Sequence, residues 1–131
     1  MFLDTSGLMC LFERQESRHT HATRHYDLAR VRLSHNYVLL EFVALAIARR
    51  APRNEALRFV DSLNKTPEIE VVWVSRDLHE RAMQLLTERN DKSWSLCDAV
   101  SFVVMRDENT QEALTTDHNF EQAGFVRLLD Q

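Results

Sequence analysis

Met1-Phe2-Leu3-Asp4-Thr5-Ser6-Gly7-Leu8-Met9-Cys10-Leu11-Phe12 opens the chain with a short apolar run, ends that run on an acid, and continues with apolar residues at helical spacing. Residues 2–4 predict a short apolar strand ending at Asp4, and Ser6 is placed to cap a helix through Leu8, Leu11 and Phe12. A strand that stops at a carboxylate and hands the chain to a helix is a building unit of a parallel sheet with helical crossovers.

The same alternation continues outward from this stretch. A polar, His- and Arg-rich helix is expected over roughly residues 18–33, then a short strand around Asn36-Tyr37-Val38. That strand runs into Leu39–Ala48, a helix rich in Leu and Ala that stops at Ala51-Pro52. This helix is apolar nearly all round and reads as mostly buried, with Glu41 its one charge before Arg49; a carboxylate in such a wall needs a reason. Asn54 is placed to cap a helix bearing Leu57, Val60 and Leu63. Ile69-Glu70-Val71-Val72-Trp73-Val74 is the clearest strand and reads as central. Ser75 caps a helix with Leu78, Ala82, Leu85 and Leu86 on one face, and Ser95-Leu96-Cys97-Asp98 has capping-box spacing ahead of an apolar helix over about 96–108. Ala113-Leu114-Thr115-Thr116 reads as a strand delivering Asp117, and Phe125-Val126-Arg127-Leu128 as a last short strand. The fold class is α/β with a parallel sheet.

A chain of 131 residues, 44% hydrophobic and 27% charged, is the size of one domain, residues 1–131, burying about two thirds of its unfolded surface. With 2 Gly and 2 Pro there is no Gly-rich phosphate loop and no flexible linker, and no apolar run approaches the roughly 18 residues of a membrane span. The start carries an acid at position 4 and no basic region, so a cytoplasmic location is expected rather than secretion. Cys10 and Cys97 each stand alone in apolar surroundings and read as reduced core thiols. The net charge of -4 is unevenly spread: residues 1–66 hold ten bases and seven acids, a balance of +3, and residues 67–131 a balance of -7. Nearly all the bases are arginine, the better phosphate fork.

Four acids share one circumstance. Asp4 and Asp117 end apolar strands, while Glu41 and Asp98 begin apolar helices. In an open parallel sheet those two kinds of position meet along one edge, where ligands bind. Four carboxylates converging there would repel one another, and a divalent cation with a preference for oxygen, Mg²⁺ or Mn²⁺, removes that cost.

The blocks Phe2-Leu3-Asp4-Thr5-Ser6-Gly7-Leu8, Asn36-Tyr37-Val38-Leu39-Leu40-Glu41, Asp91–Phe102 and Ala113-Leu114-Thr115-Thr116-Asp117 with Phe120–Phe125, in this order, resemble the PIN-domain family over essentially the whole chain. The resemblance implies a three-layer α/β/α sandwich around a central parallel sheet and metal-dependent hydrolysis of RNA phosphodiester bonds. It also implies, for a small stand-alone bacterial member, the role of toxin in a toxin–antitoxin pair, with an antitoxin protein as partner and a homodimeric state. Carried over by position, Asp4, Glu41, Asp98 and Asp117 match the acidic quartet, with Asp4, Asp98 and Asp117 holding Mg²⁺ or Mn²⁺. Thr5, Ser6 and Thr116 match polar residues that orient ligands or water. Cys97 stands where a Thr is often found, and His118-Asn119-Phe120 follows the fourth acid where His-Phe would follow after one residue. Arg49, Arg50 and Arg53 are the bases expected to hold RNA phosphates beside the acids. Two other readings are open at this level: a PIN-like module that binds RNA or protein without cutting, and a zinc site at His21 and His25, spaced i, i+4.

Overall fold

The computed structural model describes residues 1–130 and runs β1 (Phe2–Leu3), α1 (Thr5–Phe12), α2 (His19–Leu28), β2 (Arg32–His35), α3 (Asn36–Ala48), α4 (Arg53–Lys65), β3 (Ile69–Val72), α5 (Arg76–Glu88), α6 (Leu96–Asp107), β4 (Glu112–Leu114), α7 (Asn119–Gln122) and β5 (Val126–Arg127). The five strands form one sheet in the order β3-β2-β1-β4-β5, with every pairing parallel. Phe2 pairs with Leu33 on one side and Ala113 on the other, which makes the opening strand the centre of the sheet. From β1 the chain steps outward to β2 and β3, then returns to the other side of β1 for β4 and β5. Right-handed crossovers in the two directions put α1–α4 on one face and α5–α7 on the other. The packing agrees: α1 touches α2 and α3, and α3 touches α4, while α5 packs on α6 and α6 on α7.

Several local expectations change. Ile69–Val74 is not central; β3 pairs with β2 alone and lies at the edge, and Trp73 just beyond it is 69% exposed. An apolar run reports covered faces and says nothing about how many neighbours a strand has. The second strand is Arg32–His35, and Asn36-Tyr37-Val38 is already helix. Its buried residues Ser34 and His35 hide the strand from a hydropathy reading; Ser34 Oγ donates to the Leu3 carbonyl at 2.9 Å across to β1. The polar helix is shorter than 18–33, ending at Leu28, and α4 starts at Arg53 after Pro52, with Asn54 inside the helix rather than capping it. Ser6 likewise lies within α1, and Asp4 takes the N-cap position without making a side-chain capping bond. Finally, α3 is buried on one side only: Leu40 is 71% and Ile47 45% exposed, and Glu41 faces solvent with them.

The core is aromatic at its centre, with Phe2, Phe42, Phe102 and Phe120 fully buried. Phe102 stands edge-on to Phe120 at 5.0 Å and to Trp94 at 5.0 Å, tying α6 to α7 and to the loop before it. Gly7 lets α1 approach β4: a Cβ there would lie 2.0 Å from the Leu114 carbonyl oxygen. Cys10 is buried and Cys97 half-buried, and both are free thiols.

Candidate active site

The chain changes direction around β1, so the sheet's switch point falls between β1 and β4, and a cleft opens there beyond the carboxyl ends of the strands. Asp4 follows β1 directly and is buried, 5% exposed. Its Oδ2 accepts 2.7 Å from Thr115 Oγ1 and 3.2 Å from Ser6 Oγ. Thr115 and Ser6 hydroxyls stand 3.1 Å apart, and each also accepts a backbone N–H from the β4 side, Asp117 to Thr115 and Thr116 to Ser6, both at 3.0 Å. The close approach that Gly7 permits therefore does more than pack a helix, because it brings Ser6 to the strand end that delivers Asp117.

Asp98 sits in the first turn of α6 inside a full capping box: Ser95 Oγ accepts from Asp98 N at 3.0 Å, and Asp98 Oδ2 accepts from Ser95 N at 3.1 Å. Asn119 joins the third and fourth acids, donating its side-chain amide to Asp98 Oδ2 at 3.1 Å and its backbone N–H to Asp117 Oδ1 at 2.9 Å. Glu41 projects from the second turn of α3 on the exposed rim of the same cleft. The cleft has a volume of about 440 Å³, and its lining includes all four acids together with Thr5, Ser6 and Thr116.

These carboxylates feel one another. Burial, then the nearby charges of Asp98 and Glu41, push the Asp4 carboxyl up to about 7 against the pull of its Thr115 bond. Burial, with Asp117 and Glu41, also raises Asp98 above the ordinary carboxylate range. Cys97 lies beside them, and its thiol is raised by burial and by Glu41, Asp4 and Asp98, so it is a neutral wall rather than a nucleophile. Among the described residues no three ligating side chains are drawn together at coordination distance, so the acids surround the cleft rather than touch. The donor set nonetheless suits a hard divalent cation: every candidate ligand is oxygen, a cation would relieve the mutual repulsion, and Thr5 Oγ1, on the cleft wall, is buried without a hydrogen-bond partner.

Two of the three arginines expected beside the acids are elsewhere. Arg49 lines the cleft, but Arg50 adopts a left-handed φ of 64° that turns the chain out of α3, and neither it nor Arg53 reaches the lining. Arg18 takes their place, with Nε 2.9 Å from Glu16. Its position in a connecting loop has no periodicity that would single it out. Thr115 and Asn119 were also not legible as site residues, although the spacing Asp117-His118-Asn119 suits an Asx turn. His118 lies on the cleft wall, 3.8 Å from Asp117. His21 and His25 stack with ring centres 4.8 Å apart, and no third ligand joins them among the described residues.

Comparison with known proteins finds relatives along nearly the whole chain. The PIN domain family model matches residues 1–126. The chain is 32% identical over 129 residues to a protein named 23S rRNA-specific endonuclease VapC20, from two strains of Mycobacterium tuberculosis, covering 98% of this chain and 97% of that one. The crystal structure of Mycobacterium tuberculosis VapC20, titled a sarcin-ricin loop cleaving toxin, superposes with a TM-score of 0.86 over 95% of each chain at 32% identity.

Proposed function

The chain belongs to the PIN-domain family, and from that premise we propose that it is a divalent-metal-dependent endoribonuclease and the toxin of a toxin–antitoxin pair. The observation that carries the reading is the single cleft at the switch point that gathers Asp4, Glu41, Asp98 and Asp117. The relative named as an endonuclease of 23S rRNA makes large-subunit ribosomal RNA the first substrate to test.

Asp4, Asp98 and Asp117 would hold Mg²⁺ or Mn²⁺. The bound ion supplies Lewis-acid polarisation of a phosphodiester oxygen and a water acidic enough to attack at neutral pH. The chain's own groups do the rest. Thr115 and Ser6 fix the Asp4 carboxylate, Asn119 fixes Asp98 against Asp117, and Glu41, on the solvent side, orients the attacking water and takes its proton. Thr116 lines the same cleft, and the Thr5 hydroxyl lies buried in its wall. Arg18 and Arg49 face the flanking phosphates, and Glu16 holds the Arg18 guanidinium in place. A second copy of the chain is proposed to cover Leu40, Ala44 and Ile47 on the open side of α3, and an antitoxin protein to occlude the cleft.

Purified wild type and Asp98→Asn, each incubated with total ribosomal RNA in Mn²⁺, Mg²⁺ or EDTA, test the activity when the new 5′ ends are sequenced. Metal-dependent cuts made by wild type alone are expected. Equal cutting by both proteins would remove Asp98 from the reaction, and no cuts under any condition would leave a binding module in place of an enzyme.

A further inference from the structure

One buried ionisable side chain takes no part in the cleft. His35, the last residue of β2, is 0% exposed. Its Nδ1 accepts the Val38 N–H at 3.3 Å and so caps α3, and its Nε2 lies 2.8 Å from Ser101 Oγ in the middle of α6. Ser101 donates its single hydrogen to the Cys97 carbonyl at 2.9 Å. The tautomer follows from these three bonds: Ser101 has only lone pairs left for the ring, so Nε2 carries the proton and Nδ1 is bare. The ring also stands 5.6 Å from Phe2. One imidazole thus touches the strand two residues before Asp4, begins the helix that bears Glu41, and grips α6 one turn after Asp98.

We propose that His35 is a positioning residue: it sets α3 against α6, and so fixes the relative placement of the carboxylates that take the divalent cation. The proposal rests on the metal-dependent reading above. Capping alone does not require an imidazole, since Ser, Thr, Asn or Asp serves better at the first position of a helix. What distinguishes histidine is the second nitrogen, which reaches a different helix while the first one caps. Burial drives the ring's pKa down to about 3, so it stays neutral and both bonds persist at working pH. Groups that orient metal ligands from behind are worth about 10–100-fold in metal affinity or activity.

His35→Asn keeps a capping oxygen near the Nδ1 position and gives up the reach to Ser101. His35→Gln places an amide near Nε2 and gives up the cap. Ser101→Ala removes the far partner with little burden on the helix, and Val104→Ala, at a buried position further along α6, is a destabilised control outside this network. The test is Mn²⁺ affinity by calorimetry on the full chain, with the metal-free melt and kcat and KM for RNA alongside. Wild type and Val104→Ala are expected to bind Mn²⁺ alike. His35→Asn and Ser101→Ala should bind about 10-fold more weakly, with kcat lowered and KM for RNA little changed, and His35→Gln should recover most of the affinity. If His35→Asn does not fold, Ser101→Ala decides the question. Wild-type affinity in Ser101→Ala, or equal losses in it and Val104→Ala, would overturn the positioning role while leaving the nuclease reading intact. A wild type that takes up no Mn²⁺ would overturn the metal reading itself, and the proposal with it.

Discussion

Asp4 is the residue on which charge, burial and fold press hardest. Its carboxyl is raised from an ordinary 3.8 to about 7 in the folded chain. Between those two values the folded state binds a proton that the unfolded state has already released, so stability from this group falls as pH rises through the window, and the loss is complete above about 7. Metal-free wild type should therefore show a declining melting temperature from pH 4 to pH 7 relative to Asp4→Asn, which has nothing to titrate there. Matching profiles for the two proteins would mean that Asp4 is not held in this way. His35 has the opposite sign: its pKa is lowered from 6.5 to about 3, so its contribution is whole above 6.5 and lost progressively as pH falls toward 3. Comparison with Asp4→Asn separates the two slopes.

At the scale of elements, two devices hold the acids in place. The first is the contact of α1 with β4 at Gly7, where an added methyl would meet a backbone oxygen that cannot swing aside. Gly7→Ala should destabilise the chain by about 3 kcal/mol or more, as severe overpacking does, and a guanidinium unfolding curve measures it. A fall below about 1 kcal/mol would show that the helix can shift away from the sheet. The second is the capping box at the start of α6. Ser95→Ala removes a cap worth about 1 kcal/mol and loosens the turn that carries Asp98, so cleavage should fall further than stability does. Parallel losses in chemical denaturation and in RNA cleavage would reduce Ser95 to a helix cap alone.

For the whole molecule, the acidic cleft predicts linkage between metal and fold. A cation that binds only the assembled site stabilises it by mass action, about 2.7 kcal/mol at a hundred times its dissociation constant. Saturating Mn²⁺ should raise the melting temperature of wild type at pH 7.5 and leave Asp98→Asn nearly unmoved, as read by differential scanning calorimetry. The charge distribution adds a second expectation. Arg18 and Arg49 line the cleft of carboxylates, and their proposed role in holding phosphates predicts that replacing either by Ala flattens the salt dependence of KM by roughly 0.7 in log–log slope, while Arg53→Ala leaves it unchanged.

Local chemistry was enough to expose much of the alternation of strand and helix, Asp4 at the end of the first strand, Asp98 at the start of α6, and the caps at Ser75 and Ser95, whereas Glu41, expected at a helix start, lies in the second turn of α3. Each of these depends on residues a turn or two apart, and hydropathy and capping act over that distance. The order of the strands, the edge position of Ile69–Val72 and the open side of α3 at Glu41 were decided by which elements meet, and no local pattern encodes a neighbour. The same holds inside the site. Thr115 carries no local signal that sets it apart from Thr116, because its partners Asp4 and Ser6 lie 111 and 109 residues away, and Asn119 reaches Asp98 only once α7 is packed on α6. His35 reads as a polar interruption in sequence, and only the tertiary fold supplies Ser101 to satisfy the nitrogen that would otherwise be buried without a partner.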